Sequence, residues 1–142
     1  MACAAMPRDV LKIPREWEEF KKETELSNQE LIFVRSHSPW LLHEDVVESL
    51  AYELEEALRA HRWEEAASYL SVLIQSDVEK HIRTLMMYEV GPVLQLAMSA
   101  TRLSKTREAA FVAKLAEGVS IRIVSYLEVL RRADLLEICG SA

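Results

Sequence analysis

The sequence predicts an all-α protein of about seven helices, either hairpins stacked as a short solenoid or an irregular bundle. Three observations carry this. Apolar residues recur at i, i+3, i+4 and i+7 through the longest stretches, the period of a helix with one buried face. Only 3 Gly and 4 Pro occur in 142 residues, too few breakers for a many-turned β-sandwich. Ser27 and Ser76 are each followed three residues later by Glu, the spacing of a capping box.

Residues 1–13 lack a clear period and read as a flexible tail, leaving 14–140 as a single helical domain. Pro14 suits a first helical position, and Trp17 and Phe20 share a face of a helix ending near Thr24. Ser27 then caps a segment, Leu31–Arg35, too short for periodicity to choose between helix and strand. Ser36-His37-Ser38-Pro39 closes it with a turn.

The strongest stripe follows: Val46, Val47, Leu50, Ala51, Leu54, Ala57 and Leu58. A short link at His61-Arg62 leads into Trp63, Ala66, Ala67, Leu70, Leu73 and Ile74, so the two helices form an antiparallel hairpin. Ser76 opens a helix carrying Val78, Ile82, Leu85, Met86 and Val90. Pro92, after Gly91, either starts a further helix through Met98 or kinks a continuous one. Ser104–Thr106 offers caps for a helix over 108–117, with Gly118 at its C-terminus. A last helix from about Ser120 to Ile138 has Ile121, Val124, Leu127, Leu130, Leu135 and Ile138 as its stripe.

Helix pairs begin near residues 44, 77 and 107, a period suited to stacked helical repeats. Within the first pair, Trp63 sits at the turn, Glu64-Glu65-Ala66-Ala67 follows, and Tyr69 and Leu70 come next. This segment resembles a tetratricopeptide hairpin, departing from it at His61, where that family prefers Gly. Small Ala66 and Ala67 would let the helices approach while Trp63 fills the gap between units. Arg107-Glu108-Ala109-Ala110 is a weaker echo. Pro39-Trp40-Leu41, Glu55-Glu56-Ala57-Leu58 and His61–Tyr69 are also similar to the N-terminal part of a family of TBP-associated factors of RNA polymerase I. That resemblance implies a helical-repeat scaffold without enzymatic activity, in a nuclear transcription complex.

Half of the residues are hydrophobic and 28% charged, an ordinary globular balance. The net charge of −6 argues against a nucleic-acid binder relying on overall positive charge. Residues 1–70 hold 8 Lys/Arg against 15 Asp/Glu, and residues 71–142 hold 9 against 8, so the acidity lies in the first half. No apolar run is long enough to span a bilayer or form a signal peptide, which points to an intracellular protein, cytoplasmic or nuclear. Cys3 and Cys139 read as free thiols of a reducing compartment.

No motif for chemistry emerges. His37, His43, His61 and His81 lack converging ligands, so no metal is expected. Gly91, Gly118 and Gly140 form neither a phosphate loop nor a nucleophile elbow, so no cofactor or catalytic residue is assigned. The expected function is a non-catalytic adaptor or complex subunit binding a peptide or helix of a partner protein. Its contact residues are expected at Tyr52, Trp63 and Tyr69 beside the 44–75 hairpin, with Trp40 and Met87 as exposed apolar contacts. Arg102, Lys105 and Arg107 would add a peripheral basic contact. The alternative is a homodimer joined through the last helix, which carries apolar residues on more than one side.

Overall fold

The computed structural model describes residues 26–37 and 44–140. The expected tail at 1–13, the helix at 14–24 and the loop residue Trp40 lie outside them. Among the described residues the protein is an all-α bundle of seven helices: α1 (Asn28–Arg35), α2 (Glu44–Arg59), α3 (Trp63–Gln75), α4 (Val78–Met87), α5 (Val90–Met98), α6 (Ala100–Leu103) and α7 (Arg107–Gly140). None is long and apolar enough to cross a membrane.

Local chemistry sets most boundaries. Ser27 closes the expected capping box: its Oγ accepts from the Glu30 amide at 3.2 Å while Glu30 Oε1 accepts from the Ser27 amide at 2.9 Å. The ambiguous Leu31–Arg35 segment is therefore helical. α2 ends in a Schellman turn, with Arg62 N–H donating to the Ala57 carbonyl (2.8 Å) and His61 N–H to that of Leu58 (3.2 Å). His61 is left-handed at φ 56°, the conformation that explains why a glycine is favoured at such a position.

The second capping box is not formed as expected. Ser76 is buried and folds its hydroxyl back onto the Val72 carbonyl of α3, so Asp77 caps α4 instead, accepting from the Lys80 amide at 3.2 Å. A left-handed Glu89 separates α4 from α5. Pro92 then stands in the first turn of α5, where the amide it lacks has no intrahelical acceptor. Thr106 caps α7, its Oγ1 accepting from the Ala109 amide at 3.2 Å.

Gly118 caps nothing. The helices expected at 108–117 and 120–138 are one helix of 34 residues, about 50 Å long at 1.5 Å per residue. Val112, Leu115, Ala116, Val119 and Ile123 make a continuous buried stripe across the glycine. Packing of that stripe outweighs the roughly 1 kcal/mol helix cost of Gly.

The core is one cluster running from Leu26 to Ile123. Leu54 and Leu58 of α2, Leu70 and Leu73 of α3, Leu85 of α4 and Leu94 of α5 pack with Leu115 of α7, all fully buried. α7 touches α3, α4, α5 and α6. Two long-range clamps tie the elements. Gln75 Nε2 donates to the carbonyls of Val34 (2.5 Å) and His37 (2.6 Å), holding α1 against α3. Phe33 meets Phe111 edge-on, with centroids 5.5 Å apart, joining α1 to α7.

Two expected stripes turn differently. Met86, placed in the core by the α4 periodicity, is exposed, because it lies about 100° around the helix from buried Leu85. On α7 Ile121, Val124, Leu127 and Leu130 of the expected stripe are exposed, and Val119 and Ile123 carry the core contact instead; the side chains of Leu135 and Ile138 lie outside the described residues.

Candidate functional site

Helix α2 buries Val47, Leu50, Ala51, Leu54, Ala57 and Leu58. Beside that stripe runs a second one, Glu48, Tyr52, Glu55 and Arg59, at spacings of four, three and four residues that align them along the helix. The opposite wall comes from the α4–α5 junction: Tyr88, Glu89, Pro92, Val93 and Leu96. Together they bound an open groove of about 510 Å³.

Its chemistry is amphipathic and acidic. Ala51 and Val93 are buried and give it an apolar floor, while Tyr52 is 61% exposed above it. The Tyr52 hydroxyl donates to Glu56 Oε1 at 3.0 Å, which fixes the ring's direction along α2. That hydrogen bond, and the Glu56 charge behind it, push the phenol above its usual value. Arg59 is committed to Glu55, with Nη2 at 2.9 Å and Nε at 3.2 Å from the same carboxylate oxygen. Glu48 and Glu89 have no ion-pair partner among the described residues, so the groove presents unneutralised negative charge.

No family model matches the chain, and neither does a curated protein or a solved structure.

The other expected contact residues fall elsewhere. Trp63 opens α3 at 8% exposure, stacked on His61 with centroids 4.9 Å apart, and belongs to the core cluster. Its edge also lines an open notch with Arg62, Glu64, Glu65 and Ser68, away from the Tyr52 groove. Tyr69 is half-buried and donates to Glu65 Oε1 at 3.0 Å; burial first, then that bond, raises its phenol. Glu65 also pairs with Arg62 at 2.8 Å. Neither Trp63 nor Tyr69 is among the walls of the Tyr52 groove.

Met87 is 65% exposed at the end of α4. Arg102, Lys105 and Arg107 are all exposed. Arg107 lines a separate notch of about 430 Å³ with Gln29, Glu108 and Phe111, where Lys114 lies 3.9 Å from Glu30. Arg102 and Lys105 are not among its walls.

Sequence reasoning missed the far wall of the groove. Gly91-Pro92 marked a turn there, but which helix the turn would face is a matter of tertiary packing. The left-handed Glu89 beside that turn carries no local signal, since Glu is an uncommon residue in this conformation.

Proposed function

We propose that this protein is a non-catalytic helical interaction module, an adaptor or complex subunit that receives a basic, apolar-flanked segment of a partner protein in the α2–α5 groove. The observation that carries this reading is the exposed Tyr52 set over an apolar floor, with Glu48 and Glu89 unpaired beside it. An oriented aromatic ring offers a large contact area at small entropic cost, and the surrounding carboxylates favour Lys or Arg on the incoming segment. The tetratricopeptide-like character of the α2–α3 sequence supports the same role, because such hairpins hold partner segments in grooves between helices.

Selection from a phage-displayed random peptide library against the intact protein tests it. Enriched peptides should combine Lys or Arg with apolar residues, and should lose affinity for Tyr52→Ala and for the Glu48→Lys/Glu89→Lys double variant. Both variants should keep the wild-type circular dichroism spectrum, because all three side chains are exposed. Enrichment of acidic peptides, or binding indifferent to these changes, would overturn the reading.

A further inference from the structure

Two non-glycine residues among those described are left-handed, His61 and Glu89, both at φ 56°. In that region the Cβ crowds the carbonyl oxygen that follows it, so glycine is the residue that costs least. Each of the two ends one helix and turns the chain into the next, the position where glycine is usual.

They differ in what offsets the strain. His61 stacks on Trp63, with ring centroids 4.9 Å apart, so its side chain packs against the core cluster. Glu89 has no such contact. Its carboxylate is exposed, caps no amide of α5 and makes neither a hydrogen bond nor an ion pair among the described residues. Its amide donates to the Met86 carbonyl at 3.2 Å, but that bond belongs to the backbone and glycine would make it equally. Helix dipoles give no net help. Glu89 follows the C-terminal end of α4, which disfavours a negative charge, and precedes the N-terminal end of α5, which favours one. Nothing among the described residues calls for this side chain at this backbone. A local rule broken without an internal gain points to a functional position.

We infer that Glu89 is the anchor of the α2–α5 groove, its carboxylate kept against the preference of its backbone to receive a Lys or Arg of the incoming segment. The inference rests on the groove reading above and assigns the residue that selects the cation. Glu89 stands on the α4–α5 wall and Glu48 on the α2 wall, so a cation entering between them meets a carboxylate on either side. Glu55, the third carboxylate of the groove, is already held by Arg59. The backbone of Glu89 is fixed between two helices before anything binds, which lowers the ordering cost of the contact.

Stability and affinity should therefore move in opposite directions. Glu89→Gly relieves the strain and should raise the melting temperature by about 2–5 °C. The probe is the most enriched Lys- or Arg-bearing peptide of the selection above, labelled with fluorescein and titrated by anisotropy. Its affinity for Glu89→Gly should fall at least about tenfold. Glu89→Gln keeps the strain and loses the charge, so it should bind as weakly while melting near the wild type. Changing the peptide's cations to Ala one at a time should find one that weakens wild-type binding but adds little to Glu89→Gly, the coupling of two groups in contact. Glu117→Gln, at an exposed carboxylate of α7 outside the groove, should leave binding unchanged. Tyr52-dependent binding that is indifferent to both Glu89 variants, or equally weakened by Glu117→Gln, overturns this inference and leaves the groove reading standing. A Glu89→Gly variant that melts below the wild type also overturns it, by revealing a role for the side chain within the fold. A selection that yields no Tyr52-dependent peptide removes the groove reading and this inference together.

Discussion

Arg122 of α7 donates a hydrogen bond to the backbone carbonyl of Ile74, 48 residues earlier in the chain, at the end of α3. The same guanidinium reaches the Ser76 carbonyl at 3.2 Å and Glu79 at 3.4 Å. A helix leaves its last carbonyls without intrahelical partners, and here a side chain from another helix satisfies them. Arg122→Met keeps the apolar stem but leaves the Ile74 carbonyl without this donor, while that of Ser76 keeps the Val78 amide, and should cost about 1–3 kcal/mol. Glu79→Gln removes only a partly exposed ion pair and should cost less than about 1 kcal/mol. Urea denaturation at fixed pH measures both; equal losses would show that the guanidinium acts through Glu79 alone.

The left-handed His61 makes a second expectation. Glycine adopts φ 56° without the Cβ penalty of roughly 1–2 kcal/mol, while adding some entropy to the unfolded chain. His61→Gly also gives up the stack on Trp63. The balance should be near neutral to about 1 kcal/mol stabilising, whereas His61→Val, which is stiff at this φ, should destabilise. Thermal melts of the two variants should move in opposite directions or, at the least, separate by several degrees.

Trp63 and Tyr52 should part company in a stability assay. Trp63→Ala empties a site in the core and should cost about 3–5 kcal/mol, as large-to-small core changes do. Tyr52→Ala removes an exposed ring and one exposed hydrogen bond, and should leave the denaturation midpoint close to that of the wild type. A Trp63→Ala variant as stable as the wild type would show that the indole does not hold the core.

Alkaline titration offers a fourth check. Tyr69 has a phenol raised above its unfolded value of about 10 by burial and by the bond to Glu65. A raised folded value means that its contribution to stability is fully present below about pH 10 and is lost as pH climbs through the folded value. Tyr52 is raised as well, so ultraviolet absorbance of the phenolate should show a late-titrating component that shrinks by one tyrosine in Tyr69→Phe, and the alkaline decline in stability should shallow in the same variant.

Much of this fold can be read from local pattern. The Ser27–Glu30 box, the α2 stripe and the α3 stripe from Trp63 to Ile74 stand where periodicity and capping place them, since both signals depend on residues within one helix turn. Gly118 misleads because its neighbours on both sides belong to one buried stripe, and packing outweighs the local preference of a single glycine. Arg122, Gln75 and the Phe33–Phe111 contact are invisible for a different reason: their partners lie far away in sequence. The candidate groove is legible by half. Tyr52 stands out on its own helix, but Tyr88, Glu89 and Leu96 become its neighbours only once α5 has packed beside α2.

The Gln75 clamp bears on how the molecule comes apart. α1 has eight residues, well below the about 12–15 that hold a helix together in isolation, so its order is borrowed from what grips it. That grip is the burial of Leu31 and Val34, one side-chain amide on two carbonyls, an aromatic edge at Phe111, and a loose pair between Glu30 and Lys114. Such a unit should open by itself, at a free energy below that of global unfolding, while α3 and α7 stay closed. Its amides should exchange with solvent hydrogen ahead of those of Leu70, Leu73 and Leu115. The open form would uncover Leu31, Val34 and Phe33, making the first step of unfolding an unlatching at one edge of the core while its centre stays packed.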